Sequence, residues 1–148
     1  MKILVLHGPN LNLLGQREPE HYGTLSLFAI DAMIAERARA LGVEVEIRQS
    51  NHEGVLIDAI HEAIEAFDGI VINPGGYSHT SVALRDALAA GPPAIEVHLS
   101  NILARERFRR RSVTAGGCVA GVFGLGAEGY LLALEGLVGR LRGDEEGS

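Results

Sequence analysis

Polar side chains that exchange protons, carry positive charge or form hydrogen bonds are concentrated at residues 8–23, 49–54, 73–80 and 98–111 of this chain. Histidine exchanges a proton near neutral pH, and asparagine, serine and arginine donate hydrogen bonds to polar ligands. Each segment follows a short β-rich run, so a fold that brings the four together would make one binding site. The polar residues concerned are Asn10, Asn12, Arg17, Tyr22, Asn51, His52, Asn73, His79, His98, Ser100 and the arginines between 105 and 111.

The elements that must position these segments alternate between β-rich runs and helical periods. The apolar patterns predict strands at residues 3–7, 43–48, 70–73, 94–97 and 119–123. They predict helices at residues 27–41, 57–67, 82–88 and 130–141, with a short helix at 102–108. The first of these has an apolar stripe of Leu27, Ile30, Ile34, Ala38 and Leu41 and ends at Gly42, and the second has a stripe of Ile57, Ile60, Ile64 and Phe67. This alternation indicates an α/β fold with a flavodoxin-like five-stranded parallel sheet and helices on both faces. The four polar segments would then leave the carboxyl ends of the strands, where open parallel sheets bind ligands.

Length and composition indicate one globular domain over residues 1–142, with a frayed polar tail at 143–148. The 148 residues are 47% hydrophobic and carry a net charge of −6, which disfavours a nucleic-acid partner. The arginine-rich segment 105–111 is a local basic patch. Its interpretation as part of a binding site and its interpretation as a run of solvated charges carry equal weight. The apolar run after Lys2 is too short for a signal peptide or a membrane span, which predicts a cytoplasmic location. Cys118 is the single cysteine and is interpreted as a core residue.

Several motifs in the sequence have simpler interpretations than the functional sites that they resemble. Residues 124–129 match GxGxxG, but only the last helix and the tail follow them, so these glycines indicate a tight turn rather than a dinucleotide site. There is no GxSxG elbow and no Walker loop. His52, His79 and His98 could meet as metal ligands, but no metal-binding spacing supports this, and we predict no metal. Loop 8–23 is long enough to be a lid or a binding loop.

Six blocks of the sequence form a recognisable series. In chain order they are ILVLHGPNLNLLG at 3–15, REP at 17–19 with YG at 22–23, QSNHEG at 49–54, NPG at 73–75 with HTS at 79–81 and LRDA at 84–87, EVHLSN at 96–101, and RE at 105–106 with FR at 108–109. Taken together, these blocks resemble the type II 3-dehydroquinase family, and the similarity runs from residue 3 to about residue 134, in order and at the expected spacing. Two features depart from the pattern: His7 stands where asparagine is often found, and residues 115–118 are richer in glycine.

The resemblance implies a metal-free and cofactor-free lyase that dehydrates 3-dehydroquinate to 3-dehydroshikimate, in the shikimate route or in quinate breakdown. It also implies a dodecamer, built as a tetramer of trimers. The catalytic residues that it implies are Tyr22 as base with Arg17 beside it, His98 as acid, Asn10 at the enolate and Glu96 orienting the histidines. The substrate-binding residues that it implies are Asn73, His79, Leu99, Ser100 and Arg109, with Asp86 reaching the site of a neighbouring subunit.

Elementary chemistry is consistent with these roles. Removing a proton next to a ketone makes an enolate, which needs a base and an oxyanion donor, and expelling the hydroxyl group needs an acid. The free pKa of tyrosine is ~10, and a cation such as Arg17 favours the phenolate. The backbone amides of Leu99 and Ser100 suit a carboxylate substrate. Lys2, the only lysine, precedes the first strand at the end of the sheet opposite the site, which excludes an imine route.

Two other classes of function are alternatives. A flavodoxin-like module that binds FMN or a nucleotide would need a phosphate-cradling loop after the first strand. Residues 8–12 contain a proline and bulky leucines, which suit phosphate poorly. A scaffold protein that kept the fold but lost activity would carry broken catalytic motifs, whereas Tyr22, Arg17 and His98 are all present.

Overall fold

A parallel sheet lies at the centre of the computed structural model, which describes residues 1–16 and 25–147. Its strands are β1 (Lys2–His7), β2 (Glu44–Gln49), β3 (Gly69–Asn73), β4 (Ala94–His98) and β5 (Ala120–Phe123). They form a 5-stranded sheet in the order β2-β1-β3-β4-β5, and all neighbouring pairs are parallel. The predicted flavodoxin-like order is confirmed. The chain order reverses between β1 and β3, where such sheets form their ligand crevice.

Within the described residues, α-helices follow β1, β2, β3 and β5, and short 3₁₀ turns lie between β4 and β5. The α-helices are α1 (Leu27–Leu41), α2 (Glu53–Ala66), α3 (Val82–Ala90) and α4 (Glu128–Gly147). Short 3₁₀ turns occupy Leu11–Leu13, Gly75–His79, Ile102–Ala104, Arg107–Arg109 and Thr114–Gly117. In this part of the chain no helix is both long and apolar enough to cross a membrane.

The hydrophobic core has two layers, one on each face of the sheet. Side chains alternate along each strand, so Ile3 and Val5 of β1 pack with α1 and α4, whereas Leu4 and Leu6 pack with α2 and α3. All four side chains are at most 1% exposed. Burying a side chain of this size stabilises the fold by roughly 1.5–3 kcal/mol. The two layers confirm that helices cover both faces.

Helix α1 follows its predicted pattern closely. Ser26 caps its first turn by accepting a hydrogen bond from the Ala29 amide at 3.1 Å. Its buried side chains, Ile30, Ile34 and Ala38, belong to the predicted apolar stripe. The helix ends where Gly42 adopts a left-handed φ of 72°, as the sequence predicted.

Three local predictions were wrong. Residues 102–108 form two 3₁₀ turns instead of one helix, because Arg105 between them is extended. Ile64, placed on the buried stripe of α2, is 50% exposed, since the buried face of that helix consists of Leu56, Ala59, Ile60 and Ala63. Helix α4 continues to Gly147, through the segment assigned to a polar tail; glycine weakens a helix by only about 1 kcal/mol and no proline stops it.

Candidate active site

A cleft opens beyond the carboxyl ends of β1, β3 and β4, at the predicted edge of the sheet. Gly8 brings the ends of β1 and β3 together, because its amide donates to the Asn73 carbonyl at 2.8 Å. The residues that line the cleft are Pro9, Asn10, Leu11, Leu14, Asn73, Gly75, Gly76, His79, His98, Leu99, Ser100, Ile102, Arg105 and Arg109.

Most of the residues predicted to form the site lie together in this cleft. Those that line it are Asn10, Asn73, His79, His98, Leu99, Ser100 and Arg109. Asp86 does not line it and is exposed on α3. Arg17 and Tyr22 lie outside the described residues. His52, one of the residues expected to converge, is exposed and is not part of the lining.

His98, the predicted acid, is held at the cleft by a buried carboxylate. It is the last residue of β4, and its side chain is 9% exposed. Its Nε2 lies 2.8 Å from Oε2 of Glu96, two residues earlier on the same strand. An ionised carboxylate accepts but does not donate, so Nε2 carries the proton of this bond. The other ring nitrogen, Nδ1, is therefore the atom that can exchange a proton with a ligand.

Glu96 keeps its negative charge although it is only 2% exposed. Burial raises the pKa of this carboxyl group, but hydrogen bonds from His98, Ser112 and Thr114 outweigh burial and hold the pKa below its ordinary value of 4.5. The Ser112 hydroxyl donates to Oε2 at 2.6 Å, and the Thr114 hydroxyl donates to Oε1. A permanent carboxylate thus orients His98. Ser112 and Thr114 were not predicted, because they lie in an irregular segment without any periodic signal.

His79 forms a second ring at the cleft, beside His98. Its Nδ1 lies 2.8 Å from the Arg111 carbonyl, which can only accept, so Nδ1 donates. The rings of His79 and His98 are nearly parallel, at 20°, with centroids 6.4 Å apart. Phe108 meets the His79 ring edge to face, with centroids 6.3 Å apart. The two imidazoles therefore have fixed relative orientations.

Two arginines of the basic patch face the cleft. Arg105 and Arg109 are among its lining residues. Nε of Arg109 donates to Glu106 at 2.8 Å, and its guanidinium lies 4.7 Å from the Phe108 ring centroid. The patch is thus not only a solvated charge run. Positive charge at the cleft favours an anionic ligand.

Asn10 occupies an unusual backbone conformation at the cleft. Its φ is 68°, the one positive value among the non-glycine residues that the structure describes. Its backbone amide donates a hydrogen bond to Oδ1 of Asn51 at 3.0 Å. Gln49 also donates to the same Asn51 oxygen at 3.1 Å. Segment 49–54 therefore braces the loop after β1 instead of lining the cleft.

The remaining motifs have structural roles. Gly124 and Gly126 adopt φ values of 90° and 61°, so the GxGxxG match forms the tight turn that was predicted. Burial raises the pKa of the Cys118 thiol to about 12, and the charge of Glu96 adds to this effect. Among residues 1–16 and 25–147, no three or more His, Cys, Asp or Glu side chains are grouped to hold a metal ion.

Comparison with known proteins finds dehydroquinases both by sequence and by fold. A family profile described as Dehydroquinase class II matches residues 1–138. A 3-dehydroquinate dehydratase of Halothermothrix orenii is 59% identical over 138 residues, 93% of this chain and 93% of the relative. One from Nostoc sp. is 56% identical over 144 residues, 97% of this chain and 98% of the relative. The crystal structure of a type II dehydroquinase from Butyrivibrio crossotus superposes with a TM-score of 0.90 at 50% identity, covering 93% of this chain and 97% of that one.

Proposed function

This chain belongs to the class II dehydroquinase family, and on that premise we propose that it removes water from 3-dehydroquinate to form 3-dehydroshikimate. Curated relatives at 59% and 56% identity carry the name 3-dehydroquinate dehydratase, which supports the proposal. The reaction is that of a hydro-lyase in the shikimate route towards chorismate and the aromatic amino acids. The alternative of an FMN- or nucleotide-binding module has no support among these relatives.

The observation that carries the proposal is the buried pair of His98 and Glu96 at the cleft. The leaving group is a hydroxyl, which departs as water only if it receives a proton. His98 supplies that proton, and Glu96 holds the ring through Nε2 at 2.8 Å. Because the pKa of Glu96 is held below its ordinary range, the carboxylate remains charged while His98 donates and regains its proton.

The base in this proposal is Tyr22, and its cationic partner is Arg17, five residues earlier in the sequence. Both residues lie outside the described part of the chain, so their roles rest on the family resemblance. The phenolate of Tyr22 takes the proton next to the ketone, and Arg17 favours that phenolate. Asn10, in its left-handed conformation at the cleft, helps to hold the enolate oxygen.

Substrate binding is assigned to the polar lining of the cleft. The backbone amides of Leu99 and Ser100, which follow β4, bind the substrate carboxylate. Asn73, His79 and Arg109 bind the remaining polar groups of the substrate. The positive charge of Arg109, and that of Arg105 nearby, suits a carboxylate substrate.

The chemistry requires no metal, cofactor or imine, because acid, base and enolate donor are all side chains of this protein. Lys2 is the only lysine. It is the first residue of β1, and its Nζ lies 4.8 Å from the Phe67 ring centroid. The cleft lies beyond the opposite end of that strand. Because a strand rises roughly 3.3 Å per residue, the length of β1 separates Lys2 from the cleft, and an imine at Lys2 would not meet His98.

We also propose that the enzyme works in the cytoplasm as a homo-oligomer, namely the dodecamer that the family resemblance implies. Asp86 supports a shared site, because it is exposed on α3 and does not line its own subunit's cleft. Large apolar side chains on the surface also favour self-association: Phe28 is 85% exposed, Phe108 63% and Val82 59%.

The direct test is an ultraviolet assay for the conjugated enone product, with purified protein, 3-dehydroquinate and excess EDTA. We expect turnover that survives chelation and borohydride treatment. Activity that is abolished by EDTA and restored by a divalent metal would contradict the metal-free mechanism. A folded protein without any turnover would contradict the proposed function.

The assigned base is tested by Tyr22→Phe and Arg17→Ala. We expect kcat to fall by roughly 10²–10⁴-fold in Tyr22→Phe, the scale of general acid–base catalysis, with little change in the thermal unfolding midpoint. Arg140→Ala, which changes an exposed arginine on α4, is the matched control for Arg17→Ala. Near-normal turnover in either test variant would show that its residue has a different role.

A further inference from the structure

A chain of hydrogen bonds leads from helix α1 through the core to Asn73 at the cleft. Oδ1 of Asp31 lies 2.7 Å from Nε2 of His7, and Nδ1 of His7 lies 2.9 Å from the Tyr130 hydroxyl oxygen. Nδ2 of Asn73 lies 3.1 Å from that same hydroxyl oxygen. Oδ1 of Asn73 lies 3.1 Å from the Gly75 amide nitrogen. The chain joins β1, α1, α4 and β3, and it uses no group assigned above to proton transfer.

The middle of this chain is almost completely buried. His7 is 0% exposed, Tyr130 1% and Asn73 3%. The Asp31 side chain, at the outer end, is 34% exposed. Buried polar groups are nearly always hydrogen-bonded, so each of the three buried side chains depends on its neighbours for partners. A substitution at His7 therefore alters the hydrogen bonding of Asn73 through Tyr130.

The donors and acceptors give the chain one direction. The Gly75 amide can only donate, so the Asn73 atom that it meets is the carbonyl oxygen, and Nδ2 donates to Tyr130. The single hydroxyl proton of Tyr130 then goes to Nδ1 of His7. An acceptor at Nδ1 places the ring proton of neutral His7 on Nε2, which donates to the Asp31 carboxylate.

We propose that His7 is a positioning residue for the dehydratase site: its neutral Nε2–H form, selected by Asp31, directs the Tyr130 hydroxyl and so holds the Asn73 amide in one orientation. The inference rests on the proposed function, in which Asn73 binds the substrate. In this orientation Nδ2 retains one further N–H group and Oδ1 one further lone pair for a ligand. A flipped Asn73 amide would exchange the positions of the N–H donor and the oxygen acceptor that face the ligand.

The state of Tyr130 supports this direction. Burial raises the pKa of Tyr130 well above its ordinary value, the Asn73 hydrogen bond lowers it, and the charge of Asp31 raises it. The phenol therefore keeps its proton and needs an acceptor. If His7 instead carried its proton on Nδ1, Tyr130 would face two donors, and within the described residues its own proton would have no acceptor in this chain.

Kinetics of His7 variants in the full chain test the role. His7→Leu removes the acceptor at similar volume, whereas His7→Asn can place a carbonyl oxygen near the position of Nδ1. We expect His7→Leu to raise KM for 3-dehydroquinate roughly tenfold, the scale of one lost hydrogen bond, with a smaller change in kcat. His7→Asn should restore most of the loss. His61→Leu, at an exposed position on α2, is the matched control.

The tautomer itself is visible by ¹⁵N NMR of protein labelled at its histidines. The resonances of His7 are identified by their loss in His7→Asn, and we expect a pyrrole-type Nε2 and a pyridine-type Nδ1. Asp31→Asn should weaken the preference of His7 for a proton on Nε2, because an amide can both donate to and accept from that nitrogen. Asp58→Asn, exposed on α2, should leave the spectrum of His7 unchanged.

The two measurements separate the possible failures. A wild-type protein without dehydratase activity would overturn the proposed function, and the NMR spectrum would still decide the state of His7. An active enzyme whose KM is unchanged in His7→Leu, or whose His7 carries its proton on Nδ1, would overturn the positioning role. If His7→Leu does not fold, Tyr130→Phe removes the same support from Asn73 and should raise KM in the same way; an unchanged KM would be equally decisive.

Discussion

At the scale of single residues, the site depends on a carboxylate that is buried and still charged. Burying an ionised group is costly unless hydrogen bonds compensate for the lost water. Glu96 receives that compensation from His98, Ser112 and Thr114. The arrangement fixes which nitrogen of His98 faces a ligand, so Glu96 is a positioning residue for the acid.

Glu96→Gln, which removes the charge but keeps the shape of the side chain, tests this role. The wild-type pKa is lowered on folding, so the charge of Glu96 stabilises the fold above pH 4.5, and this contribution is lost as the pH falls through the lower folded-state value. The unfolding midpoint of wild type should therefore exceed that of the variant at neutral pH, and the difference should shrink in acid. We expect kcat to fall on the order of 10²-fold, because the glutamine amide no longer enforces the orientation of His98.

Glu65→Gln makes the same substitution at an exposed position of α2 and serves as the control. Its unfolding midpoint and kcat should follow wild type at every pH. A Glu96→Gln enzyme with normal turnover would remove the positioning role. A stability difference that stays constant from neutral to acid pH would contradict the lowered pKa.

The sequence could predict the residues in direct contact with the cleft more readily than those behind them. His98 and Asn73 stand at the ends of apolar runs, where ligand-binding residues of parallel sheets are expected. Thr114 and Tyr130 act through contacts across the fold, and nothing in their local pattern distinguishes them from packing residues. His7 was noticeable only as a departure from the family pattern, and its partner Asp31 lies on a different element.

At the scale of elements, the two supporting networks reach the cleft from opposite faces of the sheet. Val71 of β3 packs in the layer of α1 and α4, and Asn73, two residues later, bonds to Tyr130 of α4. Ala94 of β4 packs in the layer of α2 and α3, and Glu96 follows it on the same face. Because side chains alternate along a strand, the residues that orient His98 and those that orient Asn73 lie on opposite faces of the sheet. Substitutions can therefore alter one set without the other.

Close contact between the ends of β1 and β3 leads to a prediction for Gly8→Ala. A Cβ atom at Gly8 would lie 2.6 Å from the Pro74 carbonyl oxygen, which belongs to the backbone and cannot move freely. We expect a loss of roughly 1–3 kcal/mol in the free energy of unfolding, the usual scale of overpacking, measured by urea denaturation. Activity should also fall, since both strands end at the cleft.

Gly54→Ala is the matched control, because nothing lies within 4 Å of a Cβ atom at that position near the start of α2. Its stability should be unchanged or slightly higher, since alanine has less freedom to lose on folding. Equal stability of the two variants would mean that the strand ends can separate without cost.

Element types were predictable because the short apolar runs of the strands differ clearly from the longer stretches with an apolar period of 3.6 residues. Prediction failed where the decisive interaction was not periodic. The Asn101 side chain accepts from the Leu103 amide and starts a short turn, and Arg105 then becomes extended, so no helix forms over 102–108. On α2, the buried face includes the small Ala59 and Ala63 but not the larger Ile64, which a count of apolar residues does not reveal.

At the scale of the whole molecule, the exposed position of Asp86 on the subunit surface bears on how subunits assemble. Asp86 follows Arg85 on α3, and Arg85 packs against the turn at Thr114–Gly117, where a Cβ atom at Gly117 would lie 2.5 Å from the Arg85 carbonyl oxygen. This turn also carries Thr114, which supports Glu96. Helix α3 is therefore firmly attached to the site of its own subunit while it presents Asp86 to the outside.

The last prediction is that Asp86 completes the site of a neighbouring subunit. Sedimentation should show twelve copies of the 15.7 kDa chain. Asp86→Ala should keep the unfolding midpoint but lower kcat/KM by roughly 10–100-fold, the scale of one hydrogen bond to a charged group, whereas Asp58→Ala at an exposed position should not. Co-assembly of Asp86→Ala with His98→Asn subunits should restore activity, because some sites in the hybrid then combine an intact His98 with an intact partner Asp86. Hybrids no more active than their parents, or a fully active monomer, would contradict shared sites.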